Sequence, residues 1–187
     1  MAAAPSLRPG SSDFESLLAS VRARSASCGA ERVRRALLER LAVEPRDRVL
    51  ELGVGSGRML FAVAVRATQG FVAGIEPEEY ALRHASRRCA RLVREGRVAL
   101  RRGTSLDLGG FGAGSFEKVY GVHVTEFWED PRPHLREIRR VLRPGGRLLL
   151  GYCAGVYSRV LEPGLAAEDF REIRTEDENG LAWTTAA

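Results

Sequence analysis

The spacing of hydrophobic positions switches repeatedly between two patterns along this chain. Short apolar runs at 48–52, 71–75, 98–102, 118–122 and 147–152 have the length of strands buried on both faces. Between them, 58–67, 77–95 and 131–142 place apolar residues three and four apart, the period of a helix with one buried side. In 77–95, Ala81, Ala85, Cys89 and Leu92 form the apolar stripe, while Arg83, Arg87, Arg91 and Arg94 line a solvated face. Upstream, 30–41 sets Val33, Leu37, Leu38 and Leu41 on one side, and 13–19 predicts a shorter helix. Downstream, 168–171 predicts a remnant of a helix, followed by strands at 171–178 and 181–185 around Asn179-Gly180, a dipeptide suited to a tight hairpin. Strands alternating with helices predict an α/β fold. The expected architecture is a doubly wound seven-stranded sheet, mostly parallel with one antiparallel strand, and with helices on both faces.

Composition adds boundaries to this outline. A chain of 187 residues with 44% hydrophobic and 28% charged residues suits one globular domain. Residues 1–12, rich in small residues, read as a disordered lead-in, 13–45 as a helical cap and 46–187 as the α/β domain. No stretch has the length and apolarity of a membrane span or the pattern of a secretory signal. The net charge of +5 comes from arginine almost throughout, with Lys118 the only lysine, and the basic positions lack interleaved aromatics. Nucleic acid is therefore not the expected partner. Cys28, Cys89 and Cys153 are widely spaced and form no C-x-x-C pair, so neither a metal site nor a disulfide framework is expected, and a reducing cytoplasm is. Cys153 reads as a small buried hydrophobe rather than a nucleophile.

The candidate chemistry begins at the first strand. The run VLELGVGSG at 49–57 ends in Glu51 and three alternating glycines, Gly53, Gly55 and Gly57. Glycines there permit a tight turn and bring bare backbone close to a ligand, and the helix that follows turns its first amides into the same crevice. The spacing is G-x-G-x-G rather than the dinucleotide pattern G-x-G-x-x-G. A second acid, Glu76, ends the next strand, where nucleotide-binding folds hold ribose hydroxyls. Pro77 after it also suits a helix start.

Further motifs follow in order: Gly103-Thr104-Ser105 after the third strand, Ser115 to Tyr120 opening the fourth, and LREIRRVLRPGGRL at 135–148. With the acidic glycine loop, this series resembles class I S-adenosylmethionine (SAM) methyltransferases. It looks like the methyltransferase-domain family typified by ubiquinone/menaquinone C-methyltransferases, over about residues 46–152. The resemblance implies a Rossmann-like fold and SAM as cofactor. It also implies Glu51 at the methionine ammonium, Gly53, Gly55 and Gly57 in the loop beneath, Glu76 at the ribose, and Thr104 and Ser105 at the adenine end. Two departures stand out. The family usually has Gly-Asp where this chain has Gly103-Thr104, a loss of one charge-assisted contact for which Asp107 could substitute, and Glu117 replaces another Asp. The C-terminal part is also short, leaving the first 45 residues to cover an acceptor.

The segment 122–131, containing Phe127-Trp128 and Asp130-Pro131, resembles a bacterial branch with a Phe-Trp…Asp-Pro signature. His123, just past the fourth strand, is the candidate general base, since an imidazole titrates near neutrality. Its alternative role is packing against the cofactor. Glu126, Tyr152 and Tyr157 are candidates to face the acceptor, and Phe127 and Trp128 to wall it. His84 and His134 read as helix-surface residues. The implied activity is methyl transfer to a small organic acceptor. A non-catalytic scaffold on the same fold, an RNA methyltransferase and a nicotinamide oxidoreductase stay open as alternatives.

Overall fold

The computed structural model describes residues 29–124, 130–153, 158–178 and 181–187. Helix α1 (Ala30–Leu41) leads into β1 (Arg48–Leu52), α2 (Arg58–Ala64), β2 (Phe71–Glu76), α3 (Glu79–Arg88), α4 (Ala90–Arg94) and β3 (Val98–Arg102). Then come β4 (Phe116–Val122), α5 (Pro131–Val141), β5 (Leu142–Cys153), α6 (Ser158–Ala167), β6 (Arg174–Glu178) and β7 (Leu181–Ala186). The strands form one seven-stranded sheet in the order β3-β2-β1-β4-β5-β7-β6. β7 pairs antiparallel with both of its neighbours, and the other pairs are parallel. The order reverses between β1 and β4, so a crevice opens beyond their C-terminal ends.

Two cores cover the two faces. One side packs Val49, Val72, Val98, Tyr120, Leu149 and Trp183 against Leu37 and Leu41 of α1, Leu60 and Val63 of α2, and Leu92 of α4. The other packs Leu50, Leu52, Ile75, Val119, Leu148 and Leu150 against Leu135 and Ile138 of α5 and Leu161 and Leu165 of α6. Alternation along β1 thus assigns Val49 and Glu51 to the α1–α4 side and Leu50 and Leu52 to the other.

Several boundaries differ from those the pattern predicts. The helix predicted over 77–95 is interrupted at Cys89, giving α3 and α4. Pro144-Gly145-Gly146, expected to end a helix as a turn, lies within β5 where its register with β4 shifts, Phe116 opposing Leu142 but Lys118 opposing Arg147. The helical remnant expected at 168–171 is turn and loop instead; the helix lies earlier, as α6, which runs through Pro163-Gly164 and stops at Ala167. That pair is tolerated because α6 packs closely on α5: a methyl group at Gly164 would come 2.8 Å from Pro131. Tertiary contact overrides the local preference against both residues. The expected helix at 13–19 and the Asn179-Gly180 turn lie outside the described residues.

Polar contacts at the strand N-terminal edge are closed. Asp47 accepts from the amide of Glu44 at 2.7 Å and from Lys118 Nζ at 2.7 Å, and Lys118 Nζ also donates to the carbonyl of Ala42 at 2.6 Å. α1 is tied down from its other side. Arg40 reaches Glu178 of β6 at 2.9 Å and lies 5.5 Å from the ring of Trp183.

Candidate active site

The turn after β1 is held by β2. The amides of Gly53 and Val54 both donate to the carbonyl of Ile75, at 2.9 and 3.1 Å. The amide of Gly55 donates to Glu76 Oε2 at 2.8 Å, and Glu76 Oε1 accepts from the amide of Glu78 at 3.0 Å. Glu76 therefore ties the glycine loop to the start of α3, the position from which it was expected to meet a ribose. Gly57 adopts a positive φ of 75° and is buried against α3, where a Cβ would come within 2.8 Å of Ala85. Its requirement for glycine is a packing one, and it does not line the cleft. Gly53 does.

A cleft of about 230 Å³ opens at this point, lined by Glu51, Gly53, Ser56, Arg58, Met59 and His123 along with Ala30 and Val33 of α1. The helical segment upstream of β1 therefore forms part of its wall. Glu51 is 3% exposed, and its Oε2 has no hydrogen-bond partner among the described residues. Burial pushes its carboxyl well above the ordinary carboxylate range, and the nearby Glu76 adds to the effect. A buried acceptor without a partner, at the edge of a cleft, is the complement of a cationic donor. That fits the ammonium group of an amino-acid-bearing cofactor.

His123 lines the same cleft from the end of β4. Its backbone is in the left-handed region with φ of 56°, pinned by an amide donating to the carbonyl of Gly151 at 2.7 Å. A non-glycine residue held there is a strained position of the kind found at functional sites. Burial lowers its pKa, which favours the neutral ring.

The other expected site residues fall in different places. Thr104 is half-buried in the loop after β3, its hydroxyl accepting from the amide of Leu106 at 3.3 Å. Ser105 has no exposed surface, and its hydroxyl lies 2.7 Å from Nδ1 of His134. His134, expected on the helix surface, is buried on the inner side of α5, because the helix starts at Asp130–Pro131 and turns this position toward the β3 loop. The Asp130 side chain caps the first turn by accepting from the amide of Arg132. Asp107 is exposed and committed to Arg101 at 2.9 Å and to the amide of Gly109. Tyr152, a candidate to face the acceptor, is buried in the core on the α5–α6 side of the sheet, with its hydroxyl 2.6 Å from Thr184 Oγ1. Glu126, Phe127, Trp128 and Tyr157 lie outside the described residues.

One residue behind this cleft was missed from sequence. Tyr120 stands opposite Glu51 in the register of β1 and β4, fully buried. A tyrosine in the middle of a strand reads as core, and only the strand pairing places its hydroxyl beside an acid.

Comparison with known proteins now adds to the geometry. Residues 50–150 match the model of a family described as a methyltransferase domain. YrhH of Bacillus subtilis, a methyltransferase by name, is 29% identical over 114 residues, which cover 61% of this chain and 62% of YrhH. The O-methyltransferase resE of Aspergillus sclerotiorum is 31% identical over 121 residues, covering 64% of this chain and 45% of its own. The chain thus spans less than two thirds of either relative. In fold, the crystal structure of a SAM-dependent methyltransferase from Aquifex aeolicus superposes with a TM-score of 0.65 at 17% identity, over 82% of this chain and 88% of that one.

Proposed function

Since the chain belongs to the methyltransferase-domain family, matched over residues 50–150, we propose that it is a SAM-dependent methyltransferase acting on a hydroxyl of a small organic molecule. The observation that carries this reading is the partnerless, buried oxygen of Glu51 at the mouth of the glycine-loop cleft. Motif order left the acceptor atom open; the O-methyltransferase among the relatives supports oxygen. Bound SAM supplies a methyl group already activated by its sulfonium.

The chain's own residues have three tasks. Glu51 and the backbone at Gly53 hold the amino-acid end, while Glu76 and Thr104 serve the ribose and adenine ends. Ala30 and Val33 of α1 narrow the cleft, so the helical segment acts as a cap that excludes water. His123 accepts the proton of the attacking hydroxyl, its neutral ring being favoured by burial. Lining the cleft beyond β4, it would stand on the acceptor side of the cofactor. A reducing, cytoplasmic setting suits the buried free thiol of Cys89.

Calorimetric titration with SAM and with S-adenosylhomocysteine tests the cofactor; absence of binding at millimolar ligand refutes it. For His123, asparagine is the appropriate substitution, because it tolerates the left-handed backbone that alanine would strain. His123→Asn is expected to lower turnover by about 10²–10⁴-fold with cofactor affinity preserved. The wild-type rate should fall only below the ordinary histidine range, because the folded-state pKa is lowered, and the variant should lose that acid limb.

A further inference from the structure

Glu51 and Tyr120 face one another across β1 and β4, on the side covered by α1, α2 and α3, with 3% and 0% of their surfaces exposed. Neither Glu51 Oε2 nor the Tyr120 hydroxyl completes a hydrogen bond of ordinary geometry among the described residues. The hydroxyl is nonetheless close enough to favour the carboxylate form of Glu51. The two groups thus stand side by side, each with an open polar atom. Two buried polar atoms left open side by side are unusual in a folded interior.

The groups around the pair are all identifiable. Glu76, at the end of β2, disfavours a second negative charge beside Glu51. The Cys89 thiol, at the end of α3, is near enough to feel Glu51 and is itself held neutral by burial. Arg58 from α2 and His123 beyond β4 line the cleft into which Glu51 opens. In the described structure no cation closes on Glu51 Oε2.

We propose that Glu51 and Tyr120 work as a unit that keeps one proton on the Glu51 carboxyl in the free protein and surrenders it when the ammonium end of the cofactor enters, with Tyr120 as the positioning residue. The inference rests on the cofactor reading above. The step balances simply. The carboxylic O–H bond breaks and its proton passes to solvent. The remaining carboxylate pairs with the ligand ammonium on one side and accepts from the Tyr120 hydroxyl on the other. Burial, which raises both Glu51 and Tyr120 above their ordinary ranges, keeps the phenol protonated and able to donate throughout. Cofactor affinity then increases with pH, by up to about tenfold per unit below the ionisation of Glu51 in the free protein.

Two measurements decide it. In the free protein, carbon-13 NMR of glutamate labelled at the side-chain carboxyl should show one resonance, absent in Glu51→Gln, that is still a neutral acid at neutral pH. Titration with S-adenosylhomocysteine in two buffers of different ionisation heat should then release about one proton from wild type and none from Glu51→Gln. Tyr120→Phe keeps the ring and its packing. It should bind about tenfold more weakly, the ordinary loss of a hydrogen bond to a charged group, and should shift the rise in affinity to higher pH. An ionised Glu51 in the free protein, binding without proton release, or a Tyr120→Phe variant matching wild type in affinity and pH profile each overturns the proposal. Failure of any ligand to bind removes the cofactor reading and the proposal with it. The NMR result separates the cases, since a neutral Glu51 then faults the cofactor assignment and the release tied to it but not the protonated pair, whereas an ionised one faults the pair itself.

Discussion

Two buried acids bracket β1, and they live in opposite circumstances. Asp47, one residue before the strand, has its Oδ2 met by both the Glu44 amide and Lys118 Nζ. Glu51, next to the strand's last residue, is as deeply buried and has an oxygen with no partner. Their neighbours on β4 are two residues apart: Lys118 serves Asp47, and Tyr120 faces Glu51. A lysine gives the first acid an ion pair; a phenol gives the second only a neutral neighbour. The closed pair anchors the strand N-terminal edge, where no ligand is expected. The open pair sits at the C-terminal edge, where an α/β sheet binds. Buried polarity that is satisfied holds a fold together, and buried polarity left open marks where something else must complete it.

The largest effect should come from breaking the closed pair. Lys118→Met leaves Asp47 buried and unpaired, which is expected to cost about 3–5 kcal/mol of stability, read by urea unfolding at neutral pH. Adding Asp47→Asn to that variant should recover part of the loss. If Lys118→Met unfolds at the wild-type midpoint, the two acids are not different in kind.

Opening the contrast from the other end should give a smaller effect of opposite sign. Glu51→Gln should weaken cofactor binding by about 1.5–3 kcal/mol, roughly ten- to a hundred-fold, because a charged hydrogen bond becomes a neutral one. The same variant should be the more stable protein above neutrality. Burial raises the Glu51 pKa in the folded chain, so the folded state keeps its proton where the unfolded chain has released it. Stability from that retained proton is complete below the unfolded carboxyl range and drains away as pH rises toward the folded value. Glutamine has no such dependence. Thermal melts should therefore show Glu51→Gln gaining on wild type at about pH 8 and converging with it near about pH 4.

The smallest effect tests a second closed pair, Ser105 with His134. Ser105→Ala should cost about 1 kcal/mol of stability and leave cofactor affinity within about twofold. A matching loss of affinity would bring Ser105 back to the pocket wall.

What sequence disclosed divides along the same line. The glycine turn after β1 and the mostly parallel seven-stranded sheet were legible, because each follows from local spacing and the alternation of strands with helices. Tyr120 and the Asp47–Lys118 pair were not, since they depend on β1 and β4 lying side by side although far apart in sequence, Asp47 and Lys118 by 71 residues. His134 was misread because an amphipathic stripe locates the core side of a helix only when every buried position is apolar. Here a serine on another loop satisfies a buried ring. Gly57 was read as a ligand contact when its neighbour is Ala85, since a glycine needed for close packing and one needed for a bound molecule look the same in sequence.

The tie between Arg40 and Glu178 joins residues 138 apart in the sequence. It has a consequence for how the protein is made. α1 leaves the ribosome well before the β6–β7 pair that clamps it. A nascent chain can assemble β1 to β4 and the glycine loop while the cap still lacks its anchor, because contacts between distant segments form only after both have emerged. Construction of the cleft therefore runs from floor to roof, and the wall contributed by Ala30 and Val33 settles last.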